Sequence, residues 1–264
     1  MKTDKTGCHS ESDLPTRIMS DSPPPPPLSR LAPAALFLDF DGTLVELAET
    51  PGGIAVPNGL KPLLDRLAGR LGGRLAIVSG RAIDDLQDHL GGSAIVLSGS
   101  HGAELRYADG RRVPVLVPPG LAAAREEVRR FTAETSGLLV EDKPTGLALH
   151  YRLAPDREPE VAAFLELLAS RSGLALQRGK MVAELRPAGS DKGAAVRRLM
   201  AEPPFAGARP VFVGDDLTDE HAFAAAAALG GEGVLVGPAR ATAARWRLDG
   251  VAEVTGWMEA AARG

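Results

Sequence analysis

The sequence predicts an α/β fold: a Rossmann-like parallel sheet core with an inserted α+β segment. Apolar runs without polar alternation recur between amphipathic helical stretches, the pattern of strands covered on both faces. Each such run stops at a polar cluster, as at Asp39-Phe40-Asp41 and Gly214-Asp215-Asp216. Between about residues 118 and 184 the alternation gives way to helix, hairpin, helix, hairpin. The expected organisation is therefore a disordered tail over residues 1–32, a first core part over 33–117, the insertion over 118–184 and a second core part over 185–264.

The tail is rich in Ser, Asp, Lys and Pro and carries the run Pro23 to Pro27. Such a segment cannot bury enough apolar surface to offset its ordering entropy, and its proline run should be stiff and extended. The core opens on Ala34-Ala35-Leu36-Phe37-Leu38, read as a buried parallel strand that delivers Asp39 and Asp41. Residues two apart in an extended chain point the same way, and strand carboxyl ends are where open α/β sheets bind ligands. Two carboxylates about 4 Å apart repel by roughly 4 kcal/mol at an effective dielectric near 20, so a cation sits between them or one holds a proton.

Pro57-Asn58-Gly59 precedes a helix with Leu60, Leu63, Leu64 and Leu67 on one face. The strand Arg74 to Val78 stops at Ser79-Gly80-Arg81, before a helix from about Ala82 to Leu90. Ser79, the open backbone of Gly80 and a helix start make either a phosphate site or an ordinary serine cap. Ile95-Val96-Leu97 leads into Ser98-Gly99-Ser100-His101-Gly102-Ala103-Glu104, another polar strand end.

In the insertion, a helix from Gly120 to Thr135 is expected to stop at Gly137. A hairpin of Leu138 to Lys143 and Leu147 to Arg152 follows, pairing Glu141 with Lys143 on one face and His150 with Arg152. The next helix holds Val161, Phe164, Leu165 and Leu168 at helical spacing. A second hairpin bends at Arg178-Gly179-Lys180 and shows Val182, Glu184 and Arg186 on one side. That charged face is either solvated or the underside of a lid.

Back in the core, Ser190-Asp191-Lys192-Gly193 opens a helix. A cation in a helix's first turn opposes the macrodipole, so Lys192 either faces an anion or is simply solvated. Pro210-Val211-Phe212-Val213 is a buried strand delivering Asp215, Asp216, Asp219 and Glu220 at the mouth of a helix continuing to Leu229. If this strand neighbours the first, the acids share one crevice. Clustered carboxylates without cysteine or histidine at ligand spacing suit Mg²⁺ rather than zinc, and Mg²⁺ with few carboxylates leaves positions for a phosphate.

Composition narrows the field. The chain has 264 residues, 44% hydrophobic and 24% charged, which is ordinary for a globular protein. A net charge of −4 offers no electrostatic case for nucleic acid or an anionic membrane. The single cysteine, Cys8, excludes an intrachain disulfide and a cysteine-built zinc site. No apolar run approaches the roughly 20 residues of a membrane span, and the N-terminus has acids and prolines where a secretory signal needs an apolar core. The cytoplasm is the expected compartment.

With these residues in view, the chain resembles the trehalose-6-phosphate phosphatases of the haloacid dehalogenase-like superfamily. The broader likeness rests on Asp39-Phe40-Asp41-Gly42-Thr43, Ser79, Lys192 and Gly214-Asp215-Asp216. The narrower one adds Ser79-Gly80-Arg81, Gly99 to Glu104, Glu141-Asp142-Lys143, His150-Tyr151-Arg152, Gly179-Lys180-Met181, Glu184 and Asp215 to Glu220; Phe40 departs from the tyrosine common there. The resemblance implies that Asp39 attacks phosphorus and that Asp41 acts as acid, then base. It implies Mg²⁺ on Asp39, Asp215 and the Asp41 carbonyl, supported by Asp216 and Asp219. Ser79 and Lys192 would hold the phosphoryl oxygens. Gly80, Arg81, His101, Glu104, Glu141, Lys143, His150, Arg152, Lys180 and Glu184 would meet the sugar. The implied partner is a small sugar phosphate bound by a monomer. A sucrose or mannosylglycerate phosphatase and a non-catalytic sugar-phosphate sensor are the alternatives, and no acid of the Asp39, Asp41, Asp215 set is missing to favour the sensor.

Overall fold

The run Ala34–Leu38 is buried at every position, as a strand covered on both faces must be. Its side chains alternate between two apolar clusters: Leu36 and Leu38 join one, Ala35 and Phe37 the other. The computed structural model describes residues 26–27, 31, 34–48, 53–92, 94–179 and 181–263. Among these the chain runs β1 (Ala34–Leu38), α1 (Leu60–Arg70), β2 (Leu75–Val78), α2 (Ile83–Leu90), β3 (Val96–Gly99) and β4 (Glu104–Arg106). It leaves the sheet for α3 (Leu121–Ala133), β5 (Leu139–Asp142), β6 (Leu147–His150), α4 (Glu158–Ser172), β7 (Leu174–Gly179) and β8 (Val182–Pro187). It returns through α5 (Lys192–Met200), β9 (Arg209–Gly214), α6 (Glu220–Ala228), β10 (Glu232–Val236), β11 (Trp246–Leu248) and α7 (Val251–Arg263).

The large sheet has the order β11-β10-β9-β1-β2-β3-β4, parallel except for β4. Strand order reverses where β1 lies between β9 and β2, and such a switch point opens a crevice at the strands' carboxyl ends. Leu38 pairs with Val213, so Asp39 and Gly214-Asp215 emerge side by side, as a shared crevice requires. Helices α1 and α7 meet on one face of this sheet, and α5 and α6 on the other. The smaller sheet is antiparallel, β5-β6-β8-β7, and packs α3 and α4 on an apolar cluster of its own that includes Val128, Leu149, Leu165 and Leu185. No helix among the described residues is long and apolar enough to cross a membrane.

Several boundaries shift by a residue or two from the sequence reading, and two of the shifts have a visible cause. Helix α3 ends at Ala133, short of Gly137, because the Thr132 and Thr135 hydroxyls donate back to the carbonyls of Val128 and Phe131 and satisfy the last turn locally. Strand β7 runs on to Gly179, since its register with β8 carries pairing up to Gly179–Val182. Lys180 lies outside the described residues. Strands β10 and β11 and helix α7 follow the helix that ends near Leu229, the last element the sequence reading assigns.

Most of the expected tail also lies outside the described residues. Of its described positions, Leu31 is buried in the core, and the Pro26 carbonyl accepts a buried hydrogen bond of 2.9 Å from Trp257 Nε1 on α7. Removing residues 1–24 should leave the melting temperature unchanged. Removing residues 1–32 strips Trp257 of that acceptor and should lower it by roughly 3–10 °C, at about 1–3 kcal/mol for an orphaned buried donor. Equal melting temperatures for the two truncations would show that the contact carries no stability.

Candidate active site

The site begins where β1 runs out. The Asp39 N–H donates to the Val213 carbonyl at 2.9 Å, which holds Asp39 against β9 after the ladder ends. The chain then turns back, with the Gly42 N–H bonded to the Val45 carbonyl. Gly42 has φ +75°, and a Cβ there would lie 2.2 Å from Asp215 Oδ2, so only glycine lets the two acidic loops approach this closely. Thr43 Oγ1 donates to Asp215 Oδ1 at 3.2 Å across the same gap.

Lys192 sits at the centre. Its Nζ lies 2.8 Å from Asp39 Oδ1 and 2.7 Å from Asp219 Oδ1, and the three side chains are 3%, 6% and 0% exposed. The anion that offsets its unfavourable place in the first turn of α5 is thus a pair of carboxylates. Burial pushes the Lys192 pKa down, but the charges of Asp219 and Asp39 outweigh it and hold the group well above the ordinary lysine range. Asp39 is pushed up by burial and by Asp219 and Asp215, against the pull of Lys192. Burial and the Asp219 charge raise Asp215 to about 6.

Oxygens of Asp39, Asp215 and Asp219 come within 4.8 Å of one another. Three acids facing one ammonium leave excess negative charge in a buried site, and carboxylate oxygens suit a small hard dication. Asp219 already uses both oxygens, on Lys192 and on the Asp216 N–H at 2.9 Å, which leaves Asp39 and Asp215 as the carboxylates able to hold it. The Asp216 carboxylate accepts from the Leu217 N–H at 2.7 Å, so Asp216 and Asp219 cap the turn before α6 reciprocally and stiffen this loop.

Ser79 ends β2 and lines the cleft with Asp39, Asp41, Gly80 and Lys192. It is not the cap of α2, whose cap residue is Ala82 without a side-chain bond; its Oγ accepts from the Arg81 N–H at 3.1 Å. Arg81, expected at the substrate, instead grips Asp41 with Nε to Oδ2 and Nη2 to Oδ1, both at 2.7 Å. Ser100 and His101 have φ of 47° and 53°, a left-handed conformation that costs such residues about 1–3 kcal/mol each. Backbone bonds from Ser100 to the Arg81 carbonyl and from His101 to the Ser79 carbonyl hold the turn in place. Glu104, also expected at the substrate, lies away from the cleft lining and accepts the Ser100 hydroxyl at 2.5 Å.

That turn lays the His101 ring on Gly80, where a Cβ would come within 2.6 Å of Nε2. His101 Nε2 then lies 3.2 Å from Glu184 Oε2 on β8. Lys143 Nζ donates to the same Glu184 oxygen at 2.9 Å and to the Gly80 carbonyl at 3.0 Å, so the small sheet is bonded to the core loops. Burial raises the Glu184 pKa, but Lys143 and His101 override it and hold the carboxyl down at about 2. Burial lowers the His101 pKa despite Glu184. Glu141 pairs with His150 at 2.9 Å and lines a side cavity of about 160 Å³ with Asp41, Gly80, Arg81 and Lys143. The main cleft, about 540 Å³, also takes in His101, Arg152, Gln177 and Glu184.

Two contributors escaped the sequence reading. Arg240, in the loop after β10, pairs with Glu220 and donates Nη2 to the carbonyls of Asp216 at 2.9 Å and Asp215 at 3.4 Å. No local pattern marks it. Gln177 pairs in register with Glu184, a neighbour that a correct hairpin register would have revealed.

A parallel sheet with carboxylates at its switch point and an inserted α+β unit is the fold of the haloacid dehalogenase-like class. A haloacid dehalogenase-like hydrolase from B. subtilis shares this fold, with TM-score 0.64 and 18% identity over 85% of this chain and 99% of that one. The C-terminal domain of C. albicans trehalose-6-phosphate phosphatase superposes with TM-score 0.79, 24% identity, and 93% and 99% coverage. The trehalose-phosphatase family profile matches residues 37–252, and the chain belongs to that family, whose members hydrolyse phosphate monoesters. A probable trehalose-phosphate phosphatase of Sinorhizobium fredii is 45% identical over 206 residues, 77% of this chain and 78% of that one. The trehalose-6-phosphate phosphatase of Escherichia coli is 39% identical over 227 residues, 85% of each chain.

The crowded acids make a stability prediction. Asp215 has a folded pKa of about 6, above its unfolded value near 3.9. Its contribution to stability is therefore full below pH ~4 and is lost as pH rises through ~6. In chelator-treated protein, the stability difference between wild type and Asp215→Asn should swing toward the variant by up to about 3 kcal/mol between pH 4 and 7. Mg²⁺ should reverse the swing. Parallel denaturation curves for the two proteins across that range would refute it.

Proposed function

We propose that the chain hydrolyses trehalose 6-phosphate to trehalose and phosphate through phospho-Asp39, with Mg²⁺ as cofactor. The observation that carries this reading is Asp39, pinned beside Asp215 and in contact with Lys192, with Asp41 two residues on in the same cleft.

The Asp39 carboxylate attacks phosphorus while the bond from phosphorus to the sugar oxygen breaks, and Asp41 gives that oxygen its proton. In the second half Asp41, now a carboxylate, takes a proton from water. The water oxygen bonds to phosphorus, phosphate leaves, and Asp39 is restored. Lys192 already touches Asp39 Oδ1, so the phosphoryl group arrives on Asp39 next to an ammonium, with the Ser79 hydroxyl on the same cleft wall. Asp39, Asp215 and the Asp41 carbonyl would hold Mg²⁺, which would supply charge neutralisation for the phosphoryl oxygens.

The segment 118–184 is the cap in this reading, and it carries sugar recognition. Glu184, Lys143, His101 and, across the side cavity, Glu141 and His150 offer charged partners to sugar hydroxyls, for which charge-assisted hydrogen bonds are strong and directional. Arg152 lines the same cleft and belongs to this set. In the free protein these groups bond to one another, so the sugar replaces bonds rather than filling a void. The relatives' names supply the particular sugar. The reading takes the enzyme to be a cytoplasmic monomer.

Phosphate release from trehalose 6-phosphate, sucrose 6-phosphate and a mannosylglycerate phosphate, with and without Mg²⁺, is the direct test. Trehalose 6-phosphate should lead the panel and chelation should stop turnover. Asp39→Asn should abolish activity in a folded protein, and a fully active Asp39→Asn enzyme would end the argument. Glu184→Gln should lower kcat/KM for trehalose 6-phosphate roughly 10- to 1,000-fold while leaving 4-nitrophenyl phosphate within about threefold. Equal losses on both substrates would move Glu184 from sugar recognition to support of the core loops.

A further inference from the structure

We propose that Arg81 is a positioning residue for the general acid–base Asp41, not a ligand of the sugar. The inference rests on the phosphatase reading above and deepens it.

The geometry is that of a clamp. Arg81 presents Nε to Asp41 Oδ2 and Nη2 to Asp41 Oδ1, each at 2.7 Å, the two-point match of a guanidinium edge to a carboxylate. Its remaining nitrogen, Nη1, is bonded to Asp85 Oδ2 at 2.6 Å, one turn along α2. The guanidinium carbon lies 5.8 Å from the centre of the buried Phe40 ring, and the side chain is 10% exposed. Every nitrogen of Arg81 is thus engaged with an acid, and its plane is set by an aromatic face. The backbone beneath it is fixed as well: its N–H meets Ser79 Oγ and its carbonyl takes the Ser100 N–H.

Asp41 needs such a device. It sits on the turn after β1 with its side chain 30% exposed, and Asp39 and Lys192 bond to each other rather than to it. An acid–base group must meet the leaving oxygen in one half-reaction and water in the other, so its carboxyl plane has to stay fixed between them. A bidentate arginine fixes that plane where a single hydrogen bond would let it rotate. The side cavity lined by Asp41, Arg81, Glu141 and Lys143 adjoins this pair, whereas the main cleft lining includes Asp41 but not Arg81.

The test is a double-mutant cycle read on substrates of graded leaving group. kcat/KM reports events up to departure of the leaving oxygen, where Asp41 acts as acid. Arg81→Ala should lower kcat/KM about 10- to 100-fold for trehalose 6-phosphate and for 4-methoxyphenyl phosphate, whose leaving oxygens need a proton, a part of the 10²–10⁴ carried by general acid catalysis. For 4-nitrophenyl phosphate, which leaves without a proton, the loss should stay within about threefold. In an Asp41→Asn background, Arg81→Ala should cost no further activity, because the group it positions is already disabled. Arg81→Lys, able to contact one oxygen only, should fall between, and Asp85→Asn should show a smaller loss with the same leaving-group dependence.

A loss confined to trehalose 6-phosphate, with both aryl phosphates spared, would make Arg81 a sugar ligand and overturn the proposal. Equal losses on all three substrates, or additive losses in the cycle, would make it a structural residue and overturn it too. A wild type that releases no phosphate from any ester would overturn the phosphatase reading first, and is distinguishable from these outcomes for that reason.

Discussion

Charge buried without enough countercharge is the constraint on which this structure depends. Asp39, Asp215 and Asp219 crowd together, the first and last buried and Asp215 partly so, and Lys192 answers only part of their charge. In such surroundings each unpaired carboxylate would cost several kcal/mol, so the surrounding parts read as means of bringing the acids together and keeping them there. Gly42 removes the Cβ that would collide with Asp215. Thr43 and Arg240 tie the Asp215 loop from two sides. Helix α5 accepts a lysine in its first turn because two carboxylates face it. The residual negative charge is what a small hard dication would offset.

The second organising contact joins the two sheets. Lys143 reaches from the small sheet to the Gly80 carbonyl, and Glu184 reaches His101. Gly80 lies between Ser79, whose hydroxyl lines the cleft, and Arg81, which grips Asp41. A change in the bonds of Lys143 or Glu184 therefore bears on the loop that carries Ser79 and Arg81. The strain held at Ser100 and His101 belongs to the same arrangement, since it is what aims the imidazole at Glu184 across an open Gly80. Contacts from the small sheet and from the acidic strand ends meet at one short loop.

Much of this was legible in the residues. Strand-end acids, the odd lysine at a helix start and the change from strand–helix alternation to hairpins are local signals; the acids lie together, the lysine faces carboxylates, and the hairpins form a second sheet whose last strand reaches Pro187. The lysine is instructive: a local conflict with the helix dipole pointed to anions that lie 153 and 27 positions away in sequence, at Asp39 and Asp219. The contacts of Arg81 and Glu104 were not legible in this way, because motif membership says that a residue matters without saying what it touches. Their partners, Asp41 and Ser100, depend on rotamers and on a left-handed turn that no local propensity encodes. Arg240 carries no pattern at all, being recruited by proximity alone.

The sequence by itself determined the α/β class and the acidic strand ends that now lie together, because strand burial and the polar residues that stop each strand are written in contiguous residues. Only the tertiary structure decided which acids share Lys192, which face Arg81 takes and how the small sheet bonds to the core. Those outcomes follow from β1 lying between β9 and β2, which sets loops from three distant parts of the chain side by side. Distances of 2.7–3.2 Å then select partners by geometry, among charges that sequence alone leaves equivalent.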